Sequence, residues 1–169
     1  MLVQPNGVVN GQSYYSNWRF GAQTFDYNGC GVIATYNVMV LLGRNPSLAQ
    51  VTYDIESGHG ALAWGYLGTD PLHPYKYFQD NGIKVEQYLT YNNFNKSFVN
   101  MQMSQYAMIC FWNNKNDIRD GAHFVAVQKI SENKFAVYNY ISNRQTIFYK
   151  TSLADIIGQG RFMSGLIIN

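Results

Sequence analysis

Three residues in the chain have the types that covalent acyl chemistry requires: Cys30, His123 and Asn139. A thiolate supplies the nucleophile, an imidazole takes and returns its proton, and a third polar group fixes the ring. Cys30 stands in Asp26-Tyr27-Asn28-Gly29-Cys30-Gly31, at the head of an apolar run. A helix N-terminus there presents unpaired N–H groups and a partial positive charge, which favour thiolate over thiol. The flanking glycines let the chain turn tightly and let another backbone approach. Taken alone, a single cysteine reads more often as a small buried apolar side chain. Cys110 has that setting outright, inside Ala107-Met108-Ile109-Cys110-Phe111-Trp112, and burial would leave it inert.

His123 opens the run His123-Phe124-Val125-Ala126-Val127 after Gly121. Strand alternation places His123, Val125 and Val127 on one face and Phe124 and Ala126 on the other. Asn139 ends the next run, Phe135-Ala136-Val137-Tyr138-Asn139. With a hairpin centred at Glu132, His123 faces Ile141, and Asn139 falls within about one diagonal step of it. A polar amide in an apolar strand needs a partner, and the imidazole supplies one. Each residue also has an ordinary reading, a strand-edge histidine and a strand-end amide bonded to main chain. The combination is what points to chemistry.

The elements that must position these groups follow from periodicity and punctuation. Residues 1–22 are polar, with turn signals at Asn6-Gly7 and Asn10-Gly11, and read as an irregular lead-in. Residues 31–42 are apolar around most of a helical circumference, with Gly43 as C-cap and Pro46 beyond, which predicts a buried helix. Further helices are predicted at 47–57, with Ser47 as N-cap, at 71–80, 93–102 and 152–157; residues 58–69 form a glycine-rich loop. Strands are predicted at 84–89, 106–112, 123–130, 134–141, 145–149 and 162–168. Helices first and an antiparallel sheet second is the α+β arrangement, in one domain spanning residues 1–169.

Composition bounds the function. The 169 residues are 47% apolar and 16% aromatic, enough to build a core without a disulfide or metal. Only 13% are charged and the net charge is +2, with no Lys/Arg run. That excludes an electrostatic footprint for nucleic acid or anionic membrane. No apolar run has the length of a membrane span, and no signal peptide is visible, which leaves localisation open. There is no phosphate loop, Cys-x-x-Cys pair or His-Glu-x-x-His. His59 and His73 read as surface residues, and His59 with Glu56 makes two ligands, too few for a metal site. Neither a cofactor nor a metal is expected.

The order Cys, His, Asn, with the cysteine heading a buried helix and the histidine on a later sheet, resembles papain-like cysteine peptidases. Within them the chain is most similar to the bacterial bacteriocin-processing (double-glycine) peptidases. The matching residues are Cys30-Gly31-Val32-Ile33-Ala34, Gly43, His123-Phe124-Val125-Ala126-Val127 and Val137-Tyr138-Asn139, spanning about residues 20–141. The resemblance implies a papain-like fold and a Cys30–His123–Asn139 triad acting on a peptide or protein through an acyl-enzyme. It also implies a glutamine before the cysteine as oxyanion donor. Gln23 is that residue, one position further from Cys30 than the usual spacing, and Asn28 is the alternative. Two other readings stay open. One is a catalytically weak module of the same fold that binds peptide or carbohydrate through its Tyr- and Asn-rich loops. The other is an amidase acting on cell-wall peptides.

Overall fold

A computed structural model describes residues 5–169; residues 1–4 of the predicted lead-in lie outside the described residues. The lead-in carries a short 3-10 turn at Gln12–Tyr15 and then a two-stranded hairpin, β1 (Arg19–Phe20) with β2 (Gln23–Thr24). Next come α1 (Phe25–Asn28), α2 (Cys30–Leu41), α3 (Leu48–Ser57), a 3-10 turn at Leu62–Gly65, and α4 (His73–Asp80). The remainder is β3 (Val85–Tyr88), α5 (Tyr91–Val99), β4 (Tyr106–Trp112), a 3-10 turn at Ile118–Asp120, β5 (Ala122–Ser131), β6 (Lys134–Tyr138), β7 (Phe148–Lys150), α6 (Leu153–Ile157) and β8 (Arg161–Ile168). The large sheet has the order β3-β8-β4-β5-β6-β7, and every neighbouring pair is antiparallel. The molecule is therefore α+β.

Local chemistry accounts for most boundaries. Ten of the twelve residues of α2 are buried, as all-round apolarity requires. It stops where Gly43 takes φ 74, with Gly43 N–H bonding the Val40 carbonyl and Arg44 N–H bonding that of Met39. The Ser47 hydroxyl accepts from the Gln50 amide and starts α3, and Ser152 does the same for α6 through Asp155. The helix predicted at 93–102 instead runs from Tyr91 to Val99. Its early stop has a cause: the buried Lys129 ammonium donates to the Val99 and Met101 carbonyls, at 3.2 and 2.6 Å, and terminates the ladder. The strand predicted at 145–149 instead runs from Phe148 to Lys150, starting later and ending one residue beyond.

Both faces of the sheet are covered. Met108, Cys110, Phe124, Ala126 and Tyr138 pack with α2, whereas Ile109, Val125, Val127 and Val137 pack with α5 and α6. The strands are nearly continuous in apolar residues for that reason: both sets of side chains are buried. A shift of register after Cys110 pairs it with Ser164 but Phe111 with Phe162, leaving Met163 as the extra residue. The bulge turns Met163 toward the α2 face, where its sulfur is 3.7 Å from that of Cys110.

Candidate functional site

The β5–β6 register matches the spacing read from sequence. Val127 pairs with Val137 and Ala126 with Tyr138, and the pairing ends there. Asn139 then takes φ 55, a left-handed conformation that asparagine tolerates better than most residues, and the chain leaves the sheet. As a result, residues 122–125 of β5 keep β4 on one side and have no β6 partner on the other. The N-terminus of α2 comes to this open edge.

Cys30 is the first residue of α2, with Gly29 as N-cap. Its thiol is 8% exposed, and the main-chain amides of Phe124, Gly31 and Cys30 itself point at the sulfur. Those amides favour thiolate, as expected of a helix N-terminus. Burial outweighs them, and the thiol is pushed above its ordinary value. The sequence expectation of a thiolate-favouring site is thus corrected by desolvation. Cys110 is 1% exposed and raised further, chiefly by burial, which agrees with the inert reading.

His123 sits at the same edge, partly exposed, with its ring edge-on to Phe111 at 6.2 Å. Its Nε2 is 2.6 Å from the main-chain carbonyl of Asn139. A carbonyl only accepts, so Nε2 carries the proton and Nδ1 keeps the free lone pair. Burial lowers the ring's pKa, partly opposed by that carbonyl. The resting pair is therefore a neutral thiol and a neutral imidazole. Among the described residues no hydrogen bond joins the two side chains directly. Cys30 packs in the same core as Phe124, and its sulfur meets the main-chain amide of the His123–Phe124 peptide.

Asn139 is fully buried, but its side chain does not hold the ring. Its Nδ2 donates to Gln12 Oε1 at 2.9 Å, and its Oδ1 accepts from the Gln12 amide at 3.0 Å. The orienting group is its main-chain carbonyl. This corrects the expected side-chain contact: a left-handed residue at the end of a strand turns its carbonyl to the neighbouring strand and its side chain inward. Gln12 was not singled out from sequence. It sits in a polar stretch with no periodicity, and nothing local marks it as buried.

The two oxyanion candidates separate. Asn28 donates through Nδ2 to the carbonyls of Phe20, at 3.0 Å, and Gly65, so its amide is committed. Its Oδ1 is buried without a partner among the described residues, as is the Thr69 hydroxyl. Gln23 lies on β2, partly exposed, and its side-chain amide has no hydrogen bond among the described residues. Of the other histidines, His59 is exposed, as read. His73 is a correction: it is half-buried under Gly58 and Gly60, and burial lowers its pKa. Glu56, paired with His59 in the sequence reading, accepts from the Gly21 amide at 2.6 Å. Among the described residues, no three His, Cys, Asp or Glu side chains gather to hold a metal, and no helix is long and apolar enough to cross a membrane.

An aromatic rim flanks the Cys30 segment. Ala63 and Trp64 both take left-handed angles, φ 47 and 54. The Trp64 carbonyl accepts from the Ala22 amide at 2.8 Å, and Asn28 grips Gly65. Trp64 is 83% exposed, and Tyr27, Tyr66 and Leu67 are exposed beside it in the chain segments that meet here. Two successive strained residues persist only where surrounding structure holds them. No protein-family model matches this chain, and no curated protein matches it either.

Proposed function

We propose that the chain is a papain-like cysteine hydrolase that cleaves an amide bond of a peptide or protein through an acyl-enzyme. The observation that carries this reading is the meeting of the α2 N-terminus with the open start of β5. There the Cys30 thiol abuts the His123–Phe124 peptide, and the neighbouring ring has its lone pair on Nδ1 because Nε2 is tied to Asn139. In the first step Cys30 Sγ attacks the carbonyl carbon as its proton passes to His123 Nδ1. The Cys30 amide and the free Gln23 amide receive the oxyanion. The protonated His123 then gives its proton to the leaving nitrogen as the C–N bond breaks. Water completes the cycle, with His123 as base.

The test is hydrolysis of a peptide library, with purified cell wall as a parallel substrate to identify an amidase. Cys30→Ala and His123→Ala are expected to abolish turnover, Cys110→Ser to retain it, and Gln23→Ala to reduce it by about 10²–10³. Turnover surviving in Cys30→Ala, or iodoacetamide labelling Cys110 while sparing Cys30, sinks the reading. One observation favours a second reading, a binding module on the same fold. The thiol is raised, not lowered, and the exposed rings of Trp64, Tyr27 and Tyr66 lie on the segments that Asn28 and Ala22 join just ahead of Cys30. Such amphipathic rings suit peptide or carbohydrate. Saturable binding without turnover by the wild-type chain would select it.

A further inference from the structure

We infer that Gln12 is a positioning residue that sets the His123 ring by fixing Asn139, and that it ties the ring to the segment leading into Cys30. The inference extends the reading of His123 as base, but its geometry stands without it. Four contacts converge on this one buried side chain and its amide, which is 4% exposed. The Gln12 N–H donates to Asn139 Oδ1 at 3.0 Å, and Asn139 Nδ2 donates to Gln12 Oε1 at 2.9 Å. Gln12 Nε2 donates to the carbonyls of Phe25 and Asp26, both at 3.2 Å. Phe25 and Asp26 belong to α1, which runs through Gly29 into Cys30.

Asn139 has few other restraints. Its amide donates to Asn10 Oδ1 at 2.8 Å, and its left-handed angle lies outside the β6 ladder. Its carbonyl is the His123 partner. Residues 10–12 therefore hold both the amide and the side chain of Asn139, leaving its carbonyl in one direction. The same glutamine reaches α1 from the other side. One side chain spans the gap between the half of the molecule that carries the thiol and the half that carries the imidazole. A glutamine is suited to this, because it offers one acceptor and two donors at the end of a flexible stem. Because it touches neither thiol nor ring, it acts through Asn139.

The experiment reads the His123 tautomer directly, by ¹⁵N NMR of the imidazole in the full chain at a pH where the ring is neutral. The wild-type ring is expected to report a single tautomer protonated at Nε2. In Gln12→Ala the two nitrogen shifts should move toward each other as the tautomers mix, and the rate of Cys30 alkylation should change with them. Gln12→Glu keeps the acceptor for Asn139 but replaces the donor to Phe25 and Asp26 with a carboxylate. It is expected to mix the tautomers in the same sense, and it serves if the alanine variant does not fold. A folded Gln12 variant that keeps the wild-type nitrogen shifts overturns the inference. Loss of folding in both variants also overturns it, since Gln12 would then be a core determinant. A wild-type chain with a single Nε2–H tautomer but no hydrolysis would count against the peptidase reading alone.

Discussion

At Cys30 two opposing effects act on one sulfur. Three amides favour the thiolate and burial favours the thiol, and burial prevails. At His123 burial likewise favours the neutral ring. Alkylation of Cys30 is therefore expected to climb with pH beyond the ordinary thiol value of 9.0, with no plateau near neutrality. A neutral plateau in iodoacetamide kinetics would instead report a thiolate–imidazolium pair. The same shifts predict stability. The folded ring stays neutral where the unfolded chain is already protonated, so stability contributed by His123 is present above 6.5 and is lost as pH falls below that value. The folded thiol stays protonated where the unfolded one ionises, so the Cys30 contribution is intact below 9.0 and is lost as pH rises above it. Denaturant midpoints measured across pH should fall at both ends. The sequence supplied the types and spacing of these residues. It could not supply the direction of the thiol shift, because desolvation depends on what the rest of the chain packs around the sulfur.

The elements that hold the site are joined by side chains standing in for backbone. Asn37, fully buried in the middle of α2, accepts from the Val9 amide at 2.7 Å and donates to the Val9 carbonyl at 2.8 Å. It thereby offers the lead-in the two bonds that a strand would, three residues before Gln12. Asn37→Ala leaves both main-chain groups of a residue that is 2% exposed without partners. The expected cost is about 1–3 kcal/mol by chemical denaturation. Hydrogen exchange at Val9 should accelerate more than exchange in β4; equal acceleration would assign Asn37 to the core as a whole. In the sequence this residue is one polar side chain inside the apolar run 31–42. Its partner lies 28 residues away, and no local pattern announces such a pairing. The hairpin between β5 and β6 was legible, because alternation and turn length together fix register. The left-handed turn at Asn139, which opens the edge of β5, was not legible.

Across the whole molecule the sheet separates two cores, and the candidate site belongs to one. Cys30 packs with the α2 face, while Phe98, fully buried, stacks on Phe135 at 4.5 Å on the face of α5 and α6. Phe98→Ala is expected to lower stability by about 3–5 kcal/mol, measured by denaturation. The alkylation rate of Cys30 under native conditions should be unchanged; a large change would mean that the two cores are coupled through the sheet. The sequence by itself determined the α+β content, the buried helix behind Cys30, the Ser47 cap and the β5–β6 register, because these depend on periodicity and on groups a few residues apart. Only the tertiary structure decided which atom of Asn139 faces the ring, that Asn28 is committed to holding a loop while the Gln23 amide stays free, and that Gln12 is buried at the centre. Each of those depends on which distant segments share a space, and a hydrogen bond between residues 127 positions apart leaves no mark on the residues beside it.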